Sequence, residues 1–462
     1  MMKVENTSKQ EIKTIIEAQR AFFRSGETLG LKFRQQSLCA LSQALKQWES
    51  RIAEALWKDL HKSYEEAYLT ELSIVLGEID NHLHHLKRWV MPKPVGTPLK
   101  MMPSQSKVVA EPLGCTLIMA PWNYPVQLLL NPLVGAISAG CTAVLKPSPY
   151  VPHTSKVLEE MIKETFRPEY IAVVQGNREV NTALLEERYD LIFFTGSPQL
   201  GRTVMRAASE NLTPVVLELG GKSPCIVDKD ANIAMAARRI AWGKSLNAGQ
   251  TCIAPDYLLV HADIKDQLIS ALKKEFTRLL GPNPKESKHF VRIVNERAFD
   301  RLMGYIQGAD VVMGGEYDRS ERYISPTIID HVDVNSPIMQ EEIFGPIFPV
   351  VTFTNTDEAI DFVVSREKPL ALYYFSESKR NIRRVLKHTS SGGTCINDTI
   401  MHIANEKLPF GGVGASGMSA YHGKESFKVF SHHRAVVTTT TFLDLPFRYM
   451  PYTFFKWVKG LL

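Results

Sequence analysis

Through roughly the first ninety residues, apolar positions recur at helical spacing. Ser8 followed by Glu11 fits a capping box, and Ile12, Ile15, Ile16, Phe22 and Phe23 form the stripe of a first helix that stops at Gly26. Leu38, Leu41, Leu45, Trp48, Ile52 and Leu56 mark a second helix, and Leu72, Ile79, Leu83 and Leu86 a third. Pro92 ends the helical region, and Pro92-Lys93-Pro94-Val95-Gly96-Thr97-Pro98 reads as an extended connection. Beyond it, short unbroken apolar runs alternate with helical patterns. Residues 115–120, 142–145, 171–174 and 191–194 read as buried strands. Strands without polar alternation, separated by helices, predict a parallel α/β sheet. A second α/β series begins near Val215 and includes the apolar runs 347–351 and 371–375.

A chain of 462 residues exceeds one ordinary core and implies two or three domains. Hydrophobic residues at 44% and charged residues at 22% suit a globular enzyme. A net charge of +5, with no basic tract interleaved with aromatics, argues against nucleic-acid binding. Cys39, Cys115, Cys141, Cys225, Cys252 and Cys395 are scattered with no Cys-x-x-Cys pair. That indicates neither a disulfide framework nor a zinc cage, and reads as a reducing, cytoplasmic setting. The start, Met1-Met2-Lys3-Val4-Glu5-Asn6, lacks an apolar core and does not read as a signal peptide; no apolar run is long enough to span a bilayer.

Several motifs lead nowhere. Gly412-Val413-Gly414-Ala415-Ser416-Gly417 matches G-x-G-x-x-G but follows Leu408-Pro409-Phe410 rather than a strand, so it reads as a glycine-rich crossing segment. Gly221-Lys222-Ser223 and Gly243-Lys244-Ser245 lack the earlier glycine of a P-loop. His82, His84 and His85 sit on a charged helix and read as a solvated face; no metal site is expected.

Others carry chemistry. Asn247-Ala248-Gly249-Gln250-Thr251-Cys252 offers a cysteine behind a small, polar loop, where a polar setting lowers a thiol's pKa and a glycine admits close backbone approach. The bland alternative is a buried structural cysteine. A carboxylate, Glu218, stands upstream in Leu217-Glu218-Leu219-Gly220-Gly221-Lys222. Phe194-Thr195-Gly196-Ser197-Pro198-Gln199-Leu200-Gly201 follows a strand and opens a helix, so its backbone N–H groups and dipole suit a phosphate; a plain βα turn fits equally. In Pro121-Trp122-Asn123-Tyr124-Pro125 an asparagine held between an aromatic and a proline could aim its amide at an oxyanion, or simply stiffen a turn.

With Glu341-Glu342-Ile343-Phe344-Gly345-Pro346 and Pro409-Phe410-Gly411-Gly412-Val413-Gly414 added, these stretches resemble the aldehyde dehydrogenase superfamily from about Arg20 to about Val437, in family order and spacing. Ala254-Pro255-Asp256-Tyr257 and the helical start are similar to its class 3 branch. The resemblance implies an α/β fold: a Rossmann-like cofactor domain (1–91 and 107–214), an α/β catalytic domain (215–410), and a small β oligomerisation arm (92–106 and 431–441) that joins a homodimer. Residues 411–430 would form the glycine-rich return and 442–462 a tail.

It also implies oxidation of an aldehyde, aromatic or medium- to long-chain aliphatic, to a carboxylic acid with NAD or NADP. Cys252 would be the nucleophile, Asn123 and the Cys252 N–H the oxyanion holders, and Glu218 the base for the hydrolytic water. Trp122, Lys146, Gly196, Ser197, Gly201, Glu342 and Phe344 would contact the cofactor, with Lys146 on the adenosine ribose. Pro149 stands where many NAD-preferring members carry a glutamate, which points to dual or NADP-leaning use. A coenzyme A-acylating enzyme and a non-catalytic relative are the rival readings. Glu218 favours water as acceptor, and the Asn123, Glu218, Cys252 set is complete.

The end of the chain, from Phe447 to Leu462, mixes aromatics with cations and is broken by Pro451. Docking on a dimer partner is the favoured reading; lying in a lipid interface, as a peripheral membrane contact, stays open.

Overall fold

The computed structural model describes residues 4–461; Met1–Lys3, where the N-terminal leader reading begins, and Leu462 lie outside the described residues. Ser8 caps the helix Lys9–Arg24 by accepting the Glu11 N–H, and the helices Leu31–Leu60 and Ser73–Val90 follow, their apolar stripes buried. His82 departs from the solvated face expected of it. It is fully buried, with Nδ1 2.6 Å from Ser138 Oγ and Nε2 3.1 Å from Glu78, because it shares the inward stripe of Ile79 and Leu86. No group of three or more metal-ligating side chains forms among the described residues.

The four apolar runs after Pro112 become parallel strands in one sheet. Its spatial order is Gly417–Met418, Val215–Glu218, Leu191–Thr195, Cys115–Met119, Thr142–Lys146 and Ile171–Val173, with only the Gly417–Met418 edge antiparallel. Strand order reverses between Cys115–Met119 and Leu191–Thr195. Such a switch point opens a crevice at the carboxyl ends of the strands, where open α/β sheets bind ligands. Val215–Glu218, expected to begin the catalytic domain, is instead the neighbour of Leu191–Thr195 in this sheet. Periodicity marks it as a strand but says nothing of its partner. Gly417 needs its left-handed φ of 140° and its missing side chain, since a Cβ would lie 2.2 Å from the Leu217 carbonyl oxygen. The glycine-rich return thus fastens the strand that carries Glu218.

The second series builds a seven-stranded sheet in the order Asp310–Met313, Thr327–Asp330, Ile347–Phe353, Tyr257–His261, Pro224–Val227, Ala371–Phe375 and Gly393–Ile396, antiparallel only at its first strand. The fold is therefore α/β, with a Rossmann-like sheet and a second parallel sheet. A separate antiparallel sheet joins Lys93–Val95, Gln105–Pro112 and Ser431–Thr438. Its middle strand runs past the boundary at 106 expected for the arm, paired with Ser431–Thr438 along its whole length. No helix of the described residues is long and apolar enough to cross a membrane.

Candidate active site

Trp122 and Asn123 leave the carboxyl end of Cys115–Met119, at the switch point. Asn123 is buried and its backbone carbonyl accepts hydrogen bonds from Lys62 Nζ (3.0 Å) and Asn247 Nδ2 (3.0 Å). Its own Nδ2 donates to the Gln250 carbonyl at 3.1 Å. The Tyr124 hydroxyl lies 2.7 Å from Thr251 Oγ1. These bonds bring together the turn after one strand and the loop before Cys252, two segments distant in sequence.

That loop is backbone-strained. Asn247 (φ 49°), Ala248 (φ 51°) and Gly249 (φ 71°) all adopt the left-handed region. Gly249 is required there, because a Cβ would lie 2.3 Å from the Gly345 carbonyl oxygen. Cys252 follows on a tight turn, half-buried. The polar loop does not lower its pKa as its sequence suggested: burial pushes the thiol up, and the carboxylates of Glu342 and Glu218 push it further. Making the thiolate therefore calls for a strong local base.

The site holds two. Glu218 ends its strand buried, with both carboxyl oxygens lacking a hydrogen-bond partner among the described residues, and burial drives its carboxyl well above the usual range. Burial, with Asp256 adding repulsion, pushes the Glu342 carboxyl up to about 8. A carboxylate raised in this way is a stronger base than a solvated one. Glu342 packs so tightly on Gly220 that a Cβ there would meet its carboxylate at 2.0 Å. Phe344 (φ 51°) meets Trp122 edge to face at 5.4 Å between ring centroids. Arg301 holds this strained turn by donating to the Glu342 and Ile343 carbonyls, and Asp256 accepts the Ile343 N–H at 2.9 Å.

The remaining positions expected at the cofactor line the same sheet edge. Lys146 ends Thr142–Lys146, buried, donating at 2.7 Å to the neighbouring Pro147 carbonyl and to no carboxylate among the described residues; burial pushes its pKa down to about 8. Gly196 donates its N–H to the Glu218 carbonyl (3.0 Å), and Ser197 caps the helix Pro198–Ser209. Gly201 packs on Leu219, which a Cβ would meet at 2.8 Å.

Cys252 also lines a cavity of about 500 Å³, together with Leu128, Trp242, Leu246, Leu279, Ile400 and Phe410. Its walls are overwhelmingly apolar, which suits a hydrophobic substrate. Lys62, Glu66, Glu71, Lys222, Asp256 and Arg301 all brace the site without having been singled out for it. Asp256 and Lys222 alone left local traces, in the Ala254-Pro255-Asp256-Tyr257 and Leu217-Glu218-Leu219-Gly220-Gly221-Lys222 stretches; the two pair, and Lys222 also donates to the Ile338 and Glu341 carbonyls.

The family model described as Aldehyde dehydrogenase family matches residues 1–436. The chain belongs to that family. It is 49% identical to the 4,4'-diaponeurosporen-aldehyde dehydrogenase of Staphylococcus aureus, over 96% of this chain and 97% of that protein. It is 48% identical to mouse aldehyde dehydrogenase family 3 member A2, over 90% of this chain and 86% of that one. Among solved structures it is similar to the substrate-bound state of Staphylococcus aureus AldH, with a TM-score of 0.96 and 48% identity, covering 97% of this chain and 99% of that chain. The chain is thus an aldehyde dehydrogenase using NAD or NADP.

Proposed function

We propose that this aldehyde dehydrogenase converts an apolar aldehyde to its carboxylic acid through a thioester on Cys252, with water as the final acceptor. The carrying observation is that Cys252 lines the apolar cavity while its thiol lies within electrostatic reach of Glu218 and the Asn123 amide is hydrogen-bonded to its loop at Gln250. A bound nicotinamide supplies the hydride acceptor. Cys252 gives its thiol proton to a carboxylate of the site, and its Sγ forms the bond to the aldehyde carbon. Asn123 Nδ2, whose second N–H has no protein acceptor among the described residues, and the Cys252 N–H hold the oxygen as it becomes an anion. Glu218 takes a proton from the water that cleaves the thioester, and the acid leaves with the thiol restored.

The residues present fit the cofactor. Lys146 is a buried ammonium with no carboxylate partner among the described residues, Glu342 is pressed into the space left by Gly220, and the Gly196–Ser197 turn opens a helix at the crevice. Lys146 would lie at the adenosine ribose, Gly196, Ser197 and Gly201 would serve the phosphates, and Glu342, Phe344 and Trp122 would shape the nicotinamide end. The absence of a carboxylate at Pro149 leaves Lys146 free to stabilise a 2′-phosphate.

Reduced-nicotinamide formation from benzaldehyde and a medium-chain aldehyde, without coenzyme A, is the direct test. Turnover is expected with both cofactors, the KM for NADP⁺ lying within about tenfold of that for NAD⁺, and Pro149→Glu raising the NADP⁺ value by about tenfold or more. Turnover that waits for coenzyme A would favour the acylating reading, and strict NAD⁺ use would refute the role given to Pro149. The apolar lining supports aromatic and medium- to long-chain aldehydes, and the Staphylococcus relative is named for 4,4'-diaponeurosporen-aldehyde.

The three-stranded arm and the tail belong to a homodimer in this reading, and the six unpaired cysteines suit a cytoplasmic enzyme. Phe442, Met450, Phe455 and Trp457 are exposed on the single chain, as large apolar groups awaiting cover would be. Truncation after Thr440 is expected to shift the dimer toward monomer by light scattering while leaving liposome co-sedimentation unchanged. Loss of liposome binding on truncation would make the tail a membrane contact instead.

A further inference from the structure

One half-buried carboxylate at the edge of the substrate cavity is not used by the chemistry above. Glu66 sits in the helix Tyr64–Ala67, immediately before the wide turn Tyr68–Leu72, and borders the same cavity as Cys252. Its Oε1 accepts the Asn247 backbone N–H at 2.8 Å. Asn247 is the first left-handed residue of the loop leading to Cys252, a conformation that asparagine tolerates but that the buried Ala248 after it does not adopt readily. The Asn247 side chain then donates to the Asn123 carbonyl (3.0 Å) and the Gln250 carbonyl (2.9 Å), the latter also taking the Asn123 amide. Beneath, fully buried Lys62 pairs with Glu71 at 2.7 Å and donates to the same Asn123 carbonyl. One helical layer thus grips both the Asn123 turn and the Cys252 loop.

We propose that Glu66 is a positioning residue for aldehyde oxidation, holding the strained Asn247–Ala248 turn so that the Asn123 amide and the Cys252 thiol keep their mutual placement. The proposal rests on the reading of Cys252 as nucleophile and Asn123 as oxyanion holder. The contact needs an acceptor atom at a set reach, not a charge. Burial pushes the Glu66 carboxyl up to about 7, opposed by Lys62 and the Asn247 N–H, and either protonation state can accept that N–H. Glutamine should therefore preserve the grip, whereas aspartate, one methylene shorter, should not.

The test compares full-length wild type, Glu66→Ala, Glu66→Asp and Glu66→Gln, with Cys252→Ala as reference. Each is assayed for kcat and KM on hexanal and dodecanal, for melting temperature, and for hydrogen exchange at the Asn247 amide. The alanine and aspartate variants are expected to lose about 10- to 100-fold in kcat, equally on both aldehydes, with KM changed less than about threefold and Asn247 exchanging faster. The glutamine variant should recover most of the rate and the protection. If alanine does not fold, the aspartate–glutamine pair carries the same contrast. Wild-type rates in alanine and aspartate would overturn the proposal. So would a loss that grows with chain length, which marks a substrate contact, or glutamine as impaired as alanine, which marks a charge or proton-transfer role. Turnover surviving in Cys252→Ala would overturn the catalytic reading and this proposal with it, whatever the Glu66 variants show.

Discussion

Cys252→Ala is expected to abolish reduced-nicotinamide formation, lowering kcat on the order of 10⁴-fold or more. The size follows from the chemistry: without Sγ no covalent bond to the aldehyde carbon forms, and binding and oxyanion contacts alone catalyse little. Stability should barely change, because the side chain is small and half-buried and only a thiol is lost. Dinucleotide affinity should survive, since the residues assigned to it lie on other strands. Measured by steady-state kinetics with a binding titration alongside, a variant that binds NAD⁺ normally yet turns over at wild-type rate would remove Cys252 from the mechanism. The high thiol pKa adds a signature. Alkylation of Cys252 by iodoacetamide should be slow at neutral pH and rise with pH, because only the thiolate reacts.

Glu218→Gln is expected to separate the two halves of the reaction. The amide keeps the shape of the carboxyl but cannot take a proton, so thioester hydrolysis should slow by about 10²–10⁴-fold. Thioester formation should be less affected, so rapid mixing should show a burst of reduced nicotinamide followed by a slow steady state. The wild-type rate carries a pH dependence of definite sign. Because burial raises the Glu218 carboxyl, its basic form is depleted at low pH and accumulates as pH rises, so kcat should climb toward alkaline pH. That limb should vanish in Glu218→Gln. A variant losing burst and steady state together would instead give Glu218 a part in activating Cys252.

Cys252, Glu218 and Asn123 stand out in the sequence as candidates because each lies in a short stretch whose neighbours are themselves constrained. Gly249 must admit the Gly345 backbone, and Trp122 and Pro125 stiffen the turn around Asn123. The bracing groups were not visible. Lys62 reaches Asn123 across 61 residues and Glu66 reaches Asn247 across 181, and a lysine or glutamate near a helix end carries no local mark of such a contact. His82 is buried where a solvated face is expected, although its position is legible. It falls on the Ile79–Leu86 stripe, and the charge of its helix outweighed the period.

From the sequence alone came the elements, the alternation that makes parallel sheets, and the residue types the chemistry needs, because periodicity and backbone allowance are properties of short segments. Tertiary structure alone decided that Val215–Glu218 pairs beside Leu191–Thr195, that Glu218 and Glu342 are raised rather than ordinary carboxylates, and that the Cys252 thiol is pushed up rather than down. Those outcomes depend on which surfaces are removed from water and which charges then face each other. Both are set by contacts between segments far apart in the chain.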